Sequence, residues 1–365
     1  SEPEFAFRFL EGPLIAVTGT NGKTTTAAMT AHLLQGSGFQ VGLGGNIGAD
    51  FGPPASGLAL MSPTPDWFVV EVSSFQLADI QEFSPTIGVL TTLAPDHLDR
   101  YESLGDYYAD KKKLFLNARP ESAWILNGDS DEVEELAGEA AGDRFRFSIR
   151  NPGAKPETVS AHAFLAGEEL ALRLPGEELE TLLPRKDLPT LGRHNTANAL
   201  AAALTVRVAG SDGPAIASGL RSFPPLPHRL QQVGQHGGFH WVNDSKATNV
   251  AATVGALGSL EGPLVLLLGG KDKGEDISPL RKAIHAGVRG VVVYGEARQR
   301  IAAELGGLAR VQQVDGGFED AVSAARSLAE PGDVLLLSPA CSSFDMFDDY
   351  EARGNRFSAL ARGEA

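Results

Sequence analysis

Thr18-Gly-Thr-Asn-Gly-Lys-Thr24 brings two glycines, a lysine and a terminal hydroxyl together in one short stretch. Those residue types do complementary work on a phosphate chain. Glycines let backbone N–H groups turn inward toward anionic oxygens, Lys23 can reach the β and γ phosphates, and the Thr24 hydroxyl can ligate Mg²⁺. A loop of this kind needs a strand leading in and a helix leading out. Leu14–Val17 is an apolar run, and an apolar-periodic helix pattern follows through Leu34. The order strand, phosphate loop, helix reads as a nucleoside triphosphate site. The match to G-x-x-x-x-G-K-[ST] is imperfect, because Val17 stands where the first glycine would be. The plainer alternative is a Gly-rich turn with a surface lysine.

Further along, Trp67–Val72 reads as a strand that is apolar except for Glu71. A carboxylate there must meet a cation or bear a large desolvation cost; the cation is Mg²⁺ beside a nucleotide or a neighbouring Arg or Lys. Thr86–Leu93 is another buried strand and runs into Pro95-Asp-His-Leu-Asp-Arg-Tyr101. Ligands of α/β sheets sit at the C-terminal ends of parallel strands, which makes His97 a candidate second metal ligand; a turn histidine is the bland reading. The next helix carries Lys111, Lys112 and Lys113 in succession. Such a run is ordinarily a solvated face. A lysine held beside other cations nevertheless loses its proton more readily, and the neutral amine can take up carbon dioxide to give a carbamate, an acidic metal ligand. The residues alone leave open which of the three that is.

The chain that must position these groups has 365 residues, enough for two or three domains with cores of their own. With 42% apolar and 21% charged residues it has the composition of an ordinary globular protein. A net charge of -15 without a long Lys/Arg run argues against nucleic acid or an anionic membrane as main partner. The single cysteine, Cys341, excludes an internal disulfide and fits a reducing cytoplasm, the expected location. Apolar runs such as Leu264–Leu268 fall far short of the roughly 20 residues of a membrane span. Ser1-Glu-Pro-Glu-Phe5 has neither the basic nor the apolar region of a signal peptide, and a start at Ser1 points to a missing or processed piece upstream.

Several stretches are then placed by their patterns. Phe39–Leu43 is a short strand entering Gly44-Gly-Asn-Ile-Gly48, where Asn46 either lines the phosphate site or belongs to a tight turn. Ala123–Asn127 is a strand, and Phe145 to Leu183 alternates around a turn at Ala166-Gly-Glu168, which predicts a β-hairpin appendage. Gly192-Arg-His-Asn-Thr-Ala-Asn-Ala199 opens a helix to Val208. Its Asn195 and Asn198 share one face suited to a base or sugar; N-capping explains the first but not the second. Phe223-Pro-Pro-Leu-Pro-His-Arg229 is the linker candidate. Beyond it, strands at Leu230–Val233 and Phe239–Val242 lead to Asn243-Asp-Ser-Lys-Ala-Thr-Asn249. Strand and helix then alternate to a last helix from about Asp345 to Leu360, the pattern of a Rossmann-like parallel sheet. Two strand-end loops, Gly269–Gly274 and Ser338–Asp345, belong on one rim of that sheet.

With these residues in view the chain resembles the Mur ligase family. The phosphate-loop stretch and the Glu71, His97 and lysine series are shared with the wider superfamily that includes folylpolyglutamate synthases. Gly45-Asn-Ile-Gly48, Glu71-Val-Ser-Ser-Phe-Gln76, Asn243–Asn249 and Ser338-Pro-Ala-Cys-Ser-Ser-Phe-Asp345 look like its D-glutamate-adding branch. The match runs from about residue 12 to the end. It implies an α/β protein: residues 1–11 as a remnant linker, 12–224 as a central P-loop ATPase-like domain, and 225–365 as a C-terminal Rossmann-like domain. It also implies an ATP-dependent ligase that activates the carboxylate of UDP-N-acetylmuramoyl-L-alanine as an acyl phosphate and joins it to D-glutamate in peptidoglycan precursor synthesis. A related ligase for another amino acid and a non-catalytic ATP-binding remnant are the alternatives.

By the same resemblance, Gly19, Thr20, Asn21, Gly22, Lys23, Thr24, Thr25, Asn195, Asn198, Arg229, Asp244 and Lys246 surround ATP. Thr24 and Glu71 would hold one Mg²⁺, and His97 with a carbamylated Lys111 the second. Lys111 is preferred because the family's lysine stands three residues before an apolar-aromatic pair, here Leu114-Phe115, with Lys112 as the fallback. Thr248, Lys273, Ser343, Phe344 and Tyr350 match the D-glutamate pocket, where a cation and hydroxyls suit a dicarboxylate, and Asn46 and Ser73 lie near the muramoyl substrate. Some relatives would carry Leu and Phe at Phe344 and Tyr350. The expected form is a monomer. Residues 1–13 are all that precede the phosphate strand, so the family's N-terminal uridine-diphosphate domain, roughly 50 to 100 residues, is expected to be absent.

Overall fold

A computed structural model describes residues 1–48, 51–96, 100–150, 155–260, 262–284, 287–307 and 310–364. Contacts divide the chain into two compact units, Ser1–Ala94 with Tyr101–Pro189 and His194–Pro224, and Pro95–Arg100 with Thr190–Arg193 and Pro225–Ala365.

The first unit is built on one nine-stranded sheet. Its strands are β1 (Leu14–Thr18), β2 (Val41–Gly45), β3 (Trp67–Glu71), β4 (Ile87–Leu90), β5 (Ala123–Asn127), β6 (Asp143–Ser148), β7 (Ala163–Ala166), β8 (Glu169–Leu172) and β9 (Glu180–Pro184). They lie in the order β2-β3-β1-β4-β5-β6-β7-β8-β9, parallel as far as β7 and antiparallel beyond it. Every residue of β1, β4 and β5 is buried, as parallel strands covered on both faces require, and this is why they read as unbroken apolar runs. The helices are α1 (Glu2–Phe7), α2 (Lys23–Gly36), α3 (Ala55–Leu58), α4 (Ser74–Ala78), α5 (Leu104–Lys112), α6 (Asp131–Ala137), α7 (Arg193–Val208) and α8 (Gly213–Ser222).

Two sequence expectations change here. The predicted appendage is no separate hairpin: β6 pairs in parallel with both β5 and β7, so β7, β8 and β9 extend the main sheet, with Phe164, Leu165, Leu170 and Leu172 in its core. The first residues, read as part of a linker, form α1. Its Glu4 carboxylate accepts the backbone N–H groups of Gln81 (3.0 Å), Glu82 (3.1 Å) and Phe83 (2.9 Å), which hold the carboxyl below its ordinary pKa although burial opposes them.

The second unit holds β10 (Gln231–His236), β11 (Phe239–Asn243), β12 (Leu264–Gly269), β13 (Val288–Tyr294), β14 (Arg310–Gln313) and β15 (Val334–Leu337), in the order β10-β11-β15-β12-β13-β14. All neighbours are parallel except β10 and β11. Its helices are α9 (Val250–Leu257), α10 (Ser278–Ala283), α11 (Arg298–Leu305), α12 (Phe318–Leu328) and α13 (Tyr350–Arg362). Strand side chains alternate between two cores. Leu264, Leu266 and Leu268 pack with α9, α10 and α11, whereas Val265 and Leu267 pack with α12 and α13. The last helix starts at Tyr350 and not near Asp345, because the Asp349 carboxylate accepts Ala352 N–H and fixes the N-terminus there. Among the described residues no helix is long and apolar enough to cross a membrane.

Candidate active site

The position of β1 between β3 and β4, third in the nine-stranded order, sets the phosphate loop at the sheet's C-terminal edge between two parallel neighbours. Both loop glycines are required. Gly19 has φ +145° and a Cβ there would lie 2.1 Å from Thr91 Oγ1; Gly22, which precedes α2, has φ +85° and a Cβ would lie 2.4 Å from Asn198 Oδ1. The loop is strapped to the end of β4: Thr20 N–H donates to Thr92 O (2.7 Å), Asn21 N–H to Thr92 Oγ1 (2.9 Å) and Thr91 Oγ1 to Asn21 O (2.6 Å). Lys23 Nζ donates back to Gly19 O (3.0 Å) and Thr20 O (2.9 Å), so the ammonium lies over the loop. Thr24 and Thr25 follow it, buried in the first turn of α2.

Residues far apart in sequence meet beside this loop. Thr24 Oγ1 donates to Glu71 Oε2 at 2.7 Å, both groups buried, and Asn46 Nδ2 lies 3.5 Å from Glu71 Oε1. Glu71 reaches them because it is the last residue of β3, the strand next to β1. A hydroxyl paired with a carboxylate is an oxygen donor set that suits Mg²⁺, an ion that keeps few protein ligands and takes the rest from water and phosphate. Ser73 is the N-cap of α4, its hydroxyl accepting Gln76 N–H (3.3 Å).

The three consecutive lysines part company. Lys111 is 1% exposed, donates to Gly19 O at 2.8 Å and sits 4.7 Å from the centre of the Tyr107 ring, while the Tyr107 hydroxyl meets Thr20 Oγ1 at 3.2 Å. Lys112 is exposed, and Lys113 turns away to Ala78 O and Asp110. His97 lies outside the described residues. Asn195 is not an N-cap, since α7 already begins at Arg193; its Oδ1 accepts Asn198 Nδ2 (3.2 Å), and Asn198 Oδ1 accepts Thr26 Oγ1 (3.4 Å) at the start of α2.

In the second unit the residues singled out from the sequence gather at the C-terminal ends of β11, β12 and β15. The two loops expected on one rim are hydrogen-bonded to each other, Gly269 N–H to Pro339 O and Lys271 N–H to Ser342 O, both 2.9 Å. Ser343 is buried in the second loop, Phe344 is 67% exposed, and Thr248 N–H turns back to Lys246 O (2.8 Å). Lys246 Nζ lies 3.7 Å from the centre of the Tyr350 ring, so residues ascribed to ATP and to the amino acid are in direct contact. Arg229 stands between His228 (φ 61°) and Leu230 (φ 43°), a left-handed pair that non-glycine residues adopt only under constraint. Cys341 is buried, which pushes its thiol up to about 12.

Sequence reading missed the residue at the centre of this rim. Arg353 of α13 is fully buried and donates to Ser245 Oγ (3.0 Å), Ser245 O (2.9 Å), Cys341 O (3.1 Å) and Ser342 O (3.3 Å), tying Asn243–Asn249 to Ser338–Asp345. An arginine on a helix gives no sequence signal of burial. Its spacing from Tyr350 was the available clue, because residues three apart share a helical face.

Asp244 accepts Ser338 Oγ (2.8 Å) and Leu230 N–H (3.1 Å), yet burial dominates and pushes its carboxyl up to about 7; the two hydrogen bonds and Arg229 pull the other way. With the folded pKa above the ordinary 3.8, the stability contributed by the protonated acid is fully present below that lower value and is lost as pH rises through about 7. The melting temperature of the wild type minus that of Asp244→Asn should therefore fall from pH 5 to pH 8. A difference independent of pH would show that the carboxylate is ionised throughout.

A phosphate loop at the C-terminal edge of one largely parallel sheet, followed by a Rossmann-like unit with interlocked strand-end loops, defines a two-unit α/β nucleotide-dependent enzyme. The Mur ligase middle domain matches residues 17–206, the Mur ligase glutamate ligase domain matches residues 228–341, and the chain belongs to the Mur ligase family. It is 40% identical over 364 residues to the UDP-N-acetylmuramoylalanine–D-glutamate ligase of Salinibacter ruber, covering 99% of this chain and 78% of that protein. The enzyme of the same name from Alkaliphilus metalliredigens is 37% identical, with 98% and 77% covered. Among solved structures, a pseudomurein peptide ligase type C from Methanothermus fervidus superposes with a TM-score of 0.68 at 20% identity, over 91% of this chain and 77% of that one. Mycobacterium tuberculosis folylpolyglutamate synthase, complexed with ADP and AMPPCP, gives 0.69 at 17% identity, over 96% and 92%.

Proposed function

We propose that the chain joins D-glutamate to UDP-N-acetylmuramoyl-L-alanine at the expense of ATP, acting in the cytoplasm as a monomer. The observation that carries this reading is the near full-length likeness, 40% over 99% of the chain, to a ligase named for that reaction. The chemistry runs in two steps. The substrate carboxylate attacks the γ-phosphorus of ATP, forming an acyl phosphate and releasing ADP. The amine of D-glutamate then attacks the acyl carbon; the bond from that carbon to the phosphate-bearing oxygen breaks, phosphate leaves with its electron pair, and the nitrogen gives up a proton as the amide forms.

Little covalent work falls to the protein in such a sequence, and charge stabilisation dominates. Loop N–H groups and Lys23 bind the phosphates, and Asn195 and Asn198 serve the nucleotide. Thr24 and Glu71 would hold one Mg²⁺, and His97 with a carbamate on Lys111 the other. When bound, the metal neutralises oxygens of the transferring group. Asn46 and Ser73 serve the muramoyl substrate, while Thr248, Lys273, Ser343, Phe344 and Tyr350 receive the amino acid.

The test is phosphate release with ATP, Mg²⁺ and UDP-N-acetylmuramoyl-L-alanine on addition of D-glutamate, L-lysine or meso-diaminopimelate. Release with D-glutamate alone is expected. Release with another amino acid instead would reassign the substrate, and none with any would remove the ligase reading.

A further inference from the structure

Lys273, the cation read above as receiving the amino acid's carboxylate, is already engaged. Its Nζ lies 3.2 Å from Asp96 Oδ1 and 3.1 Å from Glu275 Oε1, and all three side chains are largely buried. Each acid is anchored separately. Glu275 Oε2 accepts the N–H of Val250, the first residue of α9, at 2.9 Å; Asp96 Oδ2 accepts Nδ2 of Asn249, the residue capping that helix, at 3.0 Å. Two carboxylates against one ammonium leave the group net negative, the wrong sign for a dicarboxylate to approach. Burial, helped by the nearby Asp96 charge, holds the Glu275 carboxyl above its ordinary pKa, although the Lys273 ammonium and Val250 N–H pull it down.

We propose that Glu275 sets the affinity for the amino acid: it competes with the substrate's carboxylate for Lys273 and so weakens the hold on it. The inference rests on the D-glutamate reading. Asp96 Oδ1 accepts a hydrogen bond from the ammonium and Glu275 Oε1 pairs with it by charge at 3.1 Å, so an incoming carboxylate must share Lys273 with two like charges or displace one. Glu275 also keeps the buried Lys273 paired when no amino acid is bound, which removes the cost of an isolated cation. Tight binding of substrate and transition state alike adds nothing to turnover once substrate saturates, so a built-in competitor sets KM without slowing chemistry.

Glu275→Gln keeps the shape and can still accept Val250 N–H while losing the charge. KM for D-glutamate should fall about tenfold, equivalent to about 1.4 kcal/mol, with KM for ATP unchanged. Glu319→Gln, which removes a charge from the exposed Arg356 pair, should leave KM for D-glutamate alone. A merely structural role moves KM upward, so an unchanged or raised KM overturns the proposal. Glu275→Ala serves if the glutamine variant melts early. If the wild type releases no phosphate with D-glutamate, the substrate reading fails on its own. Competition is then read by calorimetry with glutarate, whose binding Glu275→Gln should strengthen and Lys273→Met abolish; equal or weaker binding to Glu275→Gln overturns it.

Discussion

Lys23→Ala is expected to lower turnover by at least ~100-fold, the scale of losing one preorganised charge contact in a transition state. The ammonium is held in place by its bonds to Gly19 O and Thr20 O, so it does not have to be gathered from solvent when charge develops on the transferring phosphoryl group. Those two bonds run to backbone carbonyls of the loop, which water can satisfy after truncation, and the fold should survive. The expected pattern is a fall in kcat with a melting temperature close to the wild type. A loss below tenfold, measured as phosphate release at saturating substrates, would mean that this cation does not face the transferring group.

The second large effect belongs to Lys111. Carbamylation of its amine leaves one N–H, enough to keep the bond to Gly19 O, while presenting a carboxylate from a buried position beside the phosphate loop. Lys111→Ala should therefore lose turnover on the scale of Lys23→Ala and partly recover with millimolar formate or acetate. Lys111→Arg should not recover, because a guanidinium stays protonated. Lys112→Ala should stay near the wild type, since that side chain is exposed. Full activity in Lys111→Ala would move the carbamate to Lys112 or abolish it.

How much of this was readable beforehand depended on how local the cause was. The phosphate loop was legible because its glycines answer to the loop's own backbone, Gly19 and Gly22 both lying at positive φ, and the flanking strand and helix carry their own periodicity. The alternating β/α course of the second half was legible for the same reason, as was the meeting of its two strand-end loops. The edge strands β7 to β9 were misjudged because a hairpin's alternation is the same whether it stands alone or continues a sheet; only the pairing of β6 with β7 decides that. Arg353, Glu275 and Asp96 were invisible as partners, since charged residues read as surface until long-range packing buries them. Tyr350 and Lys246 were assigned to separate ligands, and their ring contact could not be read from spacing across a hundred residues of chain.

The bonds sewing Gly269 to Pro339 and Lys271 to Ser342 mean that neither strand-end loop can shift without dragging the other. Since Cys341 is the sole cysteine, and is shielded with its thiol far from ionised at neutral pH, Phe344→Cys would supply the one handle on which a fluorophore could be mounted. A dye at that exposed tip would then register displacement of either loop, giving an optical reporter that needs no other thiol removed.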